Sequence, residues 1–538
     1  MTTTTARLRG TIAAGLLVGG TALLAACGTQ PVVSAPRCAE AGADIACTAQ
    51  GPVRGSVENG TLAFKGIPYA QPPVGGLRWR APQPPLAWQG VRNANQFGPV
   101  CPQLAGTEVV GNEDCLTVNV WRPEVASPAL LPVMVFLQGG GNHSLSGQGT
   151  AAFGGVQYNG QLLTGQGVVF VSFNHRIGAL GFLAHPALGA ERAEKVSGNY
   201  GNLDQVAVLL WLQANVAAFG GDPKRIMLFG TSAGGGSICA LMTAPAARGL
   251  FHGAAMQSSV PTGCTLPTLA DAENGTGRRV VQALRCGGAE TAACLRARSA
   301  LEVVQAVPGT FGVLPRVYGP NVDGVLFPQQ PFAAIEKGTH SHMPVIIGNT
   351  TDETMTWAGL LGSVSDSPTL DLALGRVFGR EAVPRIRAEY PLAGFPVVRD
   401  ALVSVTTDAF FTCPSRRVAR ALARTQKEPV VRYVFSQALE NDPALPAQRA
   451  VHTIEHVFFF PWSGTYRPTV ADQVLQQQML SLWTRFARTG SLPPTEWPAA
   501  TASSDVSLLL GPDGGMRAAN ADAKCDFWET VVLPRPHL

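Results

Sequence analysis

The chain has 538 residues, 46% of them apolar and only 14% charged, so it can bury a large core and lacks the composition of a disordered polymer. Its formal charge of +4 is carried without a basic run or aromatic-basic interleaving, which argues against nucleic acid as a partner. One large domain with insertions is the expected organisation, since α/β chains of this length often run as a single unit.

At the N-terminus, Arg7 and Arg9 precede a small, apolar run from Gly10 to Ala26, too short and too rich in Gly and Ala for a membrane span. Residues 1–26 therefore read as an export signal. The run closes on Leu24-Ala25-Ala26-Cys27, which resembles the lipobox of bacterial lipoproteins; the resemblance implies that Cys27 is lipidated and holds the mature protein at a membrane surface. The alternative is an ordinary signal peptide that ends by chance at a cysteine. Residues 27–50 read as the lipidated cysteine and an N-terminal tether, small, polar and Pro-containing over residues 28–36, and residues 51–538 as the folded domain. Export to the periplasmic or cell-surface side of a bacterial membrane permits disulfides. Of eleven cysteines, ten remain if Cys27 carries lipid: Cys38, Cys47, Cys101, Cys115, Cys239, Cys264, Cys286, Cys294, Cys413 and Cys525. An even remainder fits a disulfide framework and leaves its pairing open.

Further along, Pro132–Leu137, Gly167–Phe173, Arg225–Phe229 and Pro344–Ile347 are short runs so apolar that they predict strands buried on both faces. Between the second and third, Leu203, Val206, Leu209, Leu210, Leu212 and Val216 recur at helical spacing, predicting a helix over 202–219. Strand, helix and strand at this spacing predict a mostly parallel sheet covered by helices. Arg278–Leu284, Arg416–Arg424 and Gln473–Arg488 add helices.

Directly after Phe229 comes Gly230-Thr231-Ser232-Ala233-Gly234, a G-x-S-x-G at the junction of a buried strand and a segment able to begin a helix. A serine hydroxyl is a weak nucleophile and needs an exposed, sharply turned position where a base can reach its proton. The first strand runs into Gln138-Gly139-Gly140-Gly141, whose glycines let the main chain approach a carbonyl oxygen. The amides of Gly140, Gly141 and Ala233 are the predicted oxyanion hole.

These motifs and several others make the chain similar to the type-B carboxylesterases, which include cholinesterases and bacterial para-nitrobenzyl esterases. Phe64-Lys65-Gly66-Ile67-Pro68-Tyr69-Ala70, Asn112-Glu113-Asp114-Cys115-Leu116, Gly178-Ala179-Leu180-Gly181-Phe182 and Phe219-Gly220-Gly221-Asp222-Pro223 follow in that family's order. The resemblance implies an α/β-hydrolase fold and a serine esterase with the triad Ser232, Glu353 and His452, working on a small-molecule ester without cofactor or metal. Asp352 is the rival acid. It also implies that Ser258 hydrogen-bonds Glu353, against the alternative of a hydroxyl satisfied locally, and that Arg78–Glu113 and Arg176–Asp204 are ion pairs behind the site. Gln138 stands where relatives usually carry His or Tyr, and would support the oxyanion loop. Cys101–Cys115, Cys286–Cys294 and Cys413–Cys525 are implied as disulfides; Cys38–Cys47 and Cys239–Cys264 remain, the second with two separate thiols as its alternative. In cholinesterases a Trp that meets the substrate's cation lies on the loop closed by the first disulfide. The corresponding segment here, 102–114, contains no aromatic residue, so neutral esters are expected.

Two other readings compete. His452-Thr453-Ile454-Glu455-His456 spells H-x-x-E-H, a zinc pattern, but the Phe458-Phe459-Phe460-Pro461 that follows suits a continuing helix poorly. A family member acting as a surface interaction protein would have lost its nucleophile, which is present.

Overall fold

Alternate residues of the most apolar runs feed two different cores, and this is what makes those runs strands. Val133, Val135, Val169, Val171, Leu228 and Ile347 pack into one core, while Met134, Phe136, Phe170, Met227, Phe229 and Ile346 pack into the other. The computed structural model describes Cys38 and residues 42–259, 264–312, 314–444, 448–503, 506–511, 516–520 and 523–531. Residues 1–26 and Cys27, read above as signal and lipid site, lie outside the described residues.

A small hairpin, β1 (Ile45–Thr48) with β2 (Gly51–Arg54), comes first. The main sheet holds β3 (Ser56–Glu58), β4 (Thr61–Pro68), β5 (Thr117–Pro123), β6 (Leu131–Leu137), β7 (Val169–Phe173), β8 (Gly221–Thr231), β9 (Gly253–Gln257), β10 (Val345–Thr350), β11 (Val430–Phe435), β12 (Val506–Leu510) and β13 (Met516–Asn520). Its eleven strands run in the order β13-β12-β11-β10-β9-β8-β6-β7-β5-β4-β3. Strands β6 to β12 are mutually parallel, and β3, β4, β5 and β13 add antiparallel edges. On one face lie α1 (Tyr200–Asn215), α2 (Ala233–Leu241) and α3 (Cys413–Thr425), through Leu209, Leu212, Ile238, Val418 and Leu422. On the other lies α4 (Val470–Thr489), through Leu475, Met479, Trp483 and Phe486. Helices on both faces of a mainly parallel sheet are the predicted architecture.

Two expectations need correction. The predicted helix over 202–219 starts earlier and stops at Asn215; residues 216–219 tighten into a 3₁₀ turn closed by Gly220 at φ 78°. The folded body also begins before Gly51, because β1 pairs with β2 and Cys47 is bonded to Cys38. Residues 42–50 belong to the body, not to a tether.

The structure closes Cys38–Cys47, Cys101–Cys115, Cys239–Cys264, Cys286–Cys294 and Cys413–Cys525. Cys413–Cys525 spans 112 residues and ties the short C-terminal helix Cys525–Glu529 to α3. A loop that long gives a chain-entropy contribution of about 4–5 kcal/mol before strain. Arg416 reinforces the tie by bonding Asp526 at 2.6 Å and Glu529 at 3.1 Å.

Candidate active site

Parallel strands deliver their C-terminal ends to one edge of the sheet, and every predicted catalytic residue follows such an end. Ser232 follows Thr231, the last residue of the central strand β8, and takes φ 55° and ψ −122° before α2 begins. A non-glycine residue in that region is strained and is held by its surroundings. Here the Ser232 N–H donates to Gln257 O at 2.9 Å, and the Ser232 carbonyl accepts from Gly236 N at 2.9 Å. The turn is possible because Gly234 is a glycine: a Cβ there would sit 2.1 Å from Leu137 O.

The glycine loop predicted to hold an oxyanion leaves β6 beside this elbow. A Cβ on Gly139 would lie 3.1 Å from Ser232 Cβ, which places the loop against the serine. Gly140 and Gly141 take φ 86° and 61°, and a Cβ on Gly140 would meet Ser144 O at 2.2 Å. The Gly140 carbonyl accepts from His143 N and Ser144 N, both at 3.0 Å, so it faces the turn. Ala233, the first residue of α2, brings its amide to the helix N-terminus beside Ser232, where the helix dipole favours negative charge. Gln138 is buried, its Nε2 3.2 Å from His175 Nδ1. Burial pushes the His175 imidazole down to about 4, so it is neutral near pH 7 and accepts this bond at Nδ1.

Glu353 follows β10, and His452 lies on the long connection after β11. The two loops are stitched together: Asp352 pairs with Val451 in a parallel bridge, and Asp352 N donates to Ala450 O at 3.0 Å. His452 Nδ1 donates to Glu353 Oε2 at 2.5 Å, and the second carboxylate oxygen accepts from Thr350 N at 2.8 Å. Asp352, the rival acid, instead forms an ion pair with Arg449. An imidazole fixed at Nδ1 presents Nε2 for proton exchange, which is the arrangement a serine nucleophile needs.

His452 and His456 do not share a face. Thr453 turns the chain at φ 66° and a 3₁₀ helix over Ile454–Phe459 follows. His456 is thereby placed 3.2 Å from Tyr158 Oη and stacked on Phe136 at 6.1 Å. Burial pushes it down to about 4, and it reads as a packed, neutral ring.

Ser258 does not reach Glu353. Its Oγ donates to Glu455 Oε1 at 2.5 Å, because φ 43° at the end of β9 directs the hydroxyl there while both Glu353 oxygens are already bonded. Glu455 also accepts from Tyr433 Oη at 3.1 Å. Burial, and then the Glu353 charge, push the Glu455 carboxyl up to about 8, so it holds its proton near neutral pH. The sequence reading treated this glutamate only as part of a zinc pattern; its signal was a carboxyl inside a run of buried aromatics. An acid whose folded pKa exceeds its unfolded one contributes stability present at low pH, which is lost as pH rises through the folded value. Stability is therefore expected to fall between about pH 4.5 and about pH 8, and Glu455→Gln is expected to remove that slope. Denaturant midpoints measured across this range for both proteins check it; an unchanged slope in the variant would refute the assignment.

The rings of Trp357 and Phe411 flank the His452 imidazole at 4.7 and 5.2 Å. Trp357 in turn supports the loop at Gly312, where a Cβ would lie 2.2 Å from its ring. The sequence gave no signal for Phe411. Behind the site both ion pairs form: Arg78 Nε to Glu113 Oε2 at 2.7 Å, and Arg176 to Asp204 at 2.8 and 2.7 Å. The segment 102–114 is closed by Cys101–Cys115 and folds as a hairpin of Gln103–Ala105 with Glu108–Val110.

Comparison with known proteins agrees with this geometry. The Carboxylesterase family model matches residues 43–528. Para-nitrobenzyl esterase of Bacillus subtilis (strain 168) is 35% identical over 87% of this chain and 94% of its own length. Fumonisin B1 esterase of Sphingopyxis macrogoltabida is 34% identical over 82% and 81%, and cholinesterase of Mus musculus 30% identical over 90% and 86%. A solved PNB esterase structure superposes with a TM-score of 0.75 at 32% identity, covering 91% of this chain and 99% of the other. With the serine elbow, the glycine loop and the imidazole–carboxylate pair gathered at one edge of such a sheet, the chain belongs to the carboxylesterase family and is a carboxylic-ester hydrolase of the α/β-hydrolase fold.

Proposed function

We propose that Ser232 attacks the ester carbonyl to form an acyl-enzyme, with His452 as base and then acid and Glu353 as its orienting carboxylate. The buried His452–Glu353 bond of 2.5 Å carries this reading, since it leaves Nε2 as the proton-exchanging atom. The developing oxyanion is received by the amides of Gly140, Gly141 and Ala233; each such donor is worth about 2.7–4 kcal/mol in the transition state. Labelling by a fluorophosphonate probe, with the adduct mapped by mass spectrometry, tests the assignment. The adduct is expected on Ser232, and a labelled residue elsewhere refutes it.

The substrates we assign are neutral esters of small to medium size. Selective binding of a quaternary ammonium group needs stacked aromatic faces, because the group has no hydrogen-bond donor. Segment 102–114 offers none, and the carboxylate of Glu108 is exposed there, where it attracts cations only weakly. The rings of Trp357 and Phe411 suit an acyl chain or an aromatic group equally. Expected kcat/KM for 3,3-dimethylbutyl butyrate equals or exceeds that for butyrylcholine; a clear preference for the cation would show a cation site elsewhere in the pocket.

The export signal over 1–26 and the Leu24-Ala25-Ala26-Cys27 sequence support a mature protein held through lipid on Cys27 to a bacterial membrane, outside the cytoplasm. Fractionation with membranes, and release by Cys27→Ser, are the expected results.

A further inference from the structure

The hydrogen bonds around the glycine loop are one-sided. The Gly140 carbonyl accepts from three donors, His143 N, Ser144 N and Ser144 Oγ, each at 3.0 Å. A trans peptide carries its C=O and N–H on opposite sides, so pinning the Gly140 oxygen inside the turn aims the Gly141 N–H out of it. Among the described residues neither the Gly140 nor the Gly141 amide donates to a protein acceptor, which leaves both free to meet an oxygen of a bound ester. His143 Nδ1 donates to Gly141 O at 3.0 Å, but that bond holds the next peptide, whose N–H belongs to Asn142. Of the two side chains, Ser144 is the one bonded to the peptide that carries the Gly141 N–H.

Ser144 is itself held from outside the turn. Leu145, the next residue, takes φ 70°, which is unfavourable for a bulky side chain. The carboxamide of Gln103 clamps it there: Leu145 N donates to Gln103 Oε1 at 2.7 Å, and Gln103 Nε2 donates to Leu145 O at 3.0 Å. Gln103 Nε2 also donates to Cys101 O at 3.1 Å, and the side chain is buried. It opens the hairpin inside the segment closed by Cys101–Cys115.

Resting on the reading of Ser232 as nucleophile and of the glycine amides as its oxyanion donors, we propose that Ser144, held by Gln103, is a positioning residue that aims and polarises the Gly141 amide. A hydroxyl donating to Gly140 O draws electron density toward that oxygen and makes the N–H of the same peptide a stronger donor. The gain is realised as negative charge develops on the ester oxygen, so it acts on kcat and not on KM. The disulfide-closed segment thereby supports the chemical step as well as the choice of substrate.

Ser144→Ala is expected to lower kcat on p-nitrophenyl butyrate about tenfold, short of the roughly 10²–10³ that follows loss of a whole oxyanion donor, with KM within about twofold of native. Ser144→Thr keeps the hydroxyl and is expected to restore most of the rate. Gln103→Met keeps the length and removes the amide; its kcat is expected to fall by a similar factor. The double variant should lose far less than the product of the two, since both act through one peptide. The Ser144 pair decides the proposal even where Gln103→Met does not fold.

A second readout isolates the oxyanion. Ser232 Oγ adds to an alkyl trifluoromethyl ketone labelled with carbon-13 at its carbonyl, and NMR follows the pKa of the hemiketal. In the native protein that pKa is expected below that of the free ketone hydrate. A native adduct that titrates like the hydrate refutes the oxyanion reading of the loop, and the proposal with it. With the native adduct anionic, Ser144→Ala is expected to raise the hemiketal pKa and to weaken the ketone by the same factor as kcat, and Ser144→Thr to return both toward native. An unchanged hemiketal pKa and kcat in Ser144→Ala, or a loss confined to KM, overturns the positioning role and leaves the oxyanion reading standing.

Discussion

Ser232→Ala is expected to abolish ester hydrolysis and probe labelling together, while His452→Ala loses roughly 10⁴–10⁶ in kcat because the serine proton then has no acceptor. His456→Ala separates the two histidines of the H-x-x-E-H sequence. That ring contacts Tyr158 and Phe136 rather than the acid, so its loss opens a void in a packed core and lowers stability, with far less effect on kcat. Glu353→Gln should fall near 10⁴, since an amide presents the wrong partner to His452 Nδ1. The measurement is kcat/KM on p-nitrophenyl butyrate with a parallel melting curve. An inactive, well-folded His456→Ala beside an active His452→Ala would reverse the assignment of the base.

A large loss of stability is expected from Asp204→Ala. Arg176 and Asp204 are almost fully buried, with side-chain exposures of 4% and 0%, and Asp204 Oδ2 also accepts from the Arg176 backbone N–H at 3.0 Å. Removing one partner leaves a guanidinium without its counter-charge in low dielectric, a loss of about 3–5 kcal/mol. The damage should extend to turnover. Two residues beyond Arg176, Gly178 N donates to Asn142 O at 2.6 Å, and Asn142 directly follows Gly140 and Gly141, the proposed oxyanion donors. A loosened 174–178 loop therefore shifts Gly140 and Gly141 and is expected to lower kcat more than it raises KM. Denaturant titration and steady-state kinetics on the same preparation check both parts; a change below about 1 kcal/mol would show that the pair contributes little.

Reading the sequence worked where side-chain chemistry alone decides the structure. Runs such as 132–137 and 225–229 are apolar at consecutive positions, and only a strand buried on both faces accommodates that. Strand β9, Gly-Ala-Ala-Met-Gln, gave no such signal, because small residues declare neither period nor β-propensity; packing between β8 and β10 makes it a strand. The residues of the proposed triad stood in sequence motifs, whereas the partner of Ser258 depended on a backbone angle of φ 43° that a serine gives no sign of adopting. Glu455 was missed for a similar reason: its role follows from distances to Ser258 and Tyr433, which lie 197 and 22 residues away. Pairing of Cys239 with Cys264 was likewise a matter of three-dimensional proximity, across 25 residues.

The central place of β8 has a consequence for how the enzyme fails on heating. Amides 226–230 of that strand lie between two parallel neighbours, β6 and β9, with further strands beyond each. Hydrogen exchange at such positions generally requires opening of the whole sheet, whereas exposed hairpins such as 103–110 exchange through local fluctuations. The Ser232 elbow is therefore tied to the slowest-opening part of the molecule. Mild heating should fray the outer loops and alter KM first, while the capacity for covalent labelling at Ser232 persists until deuterium reaches the middle of β8.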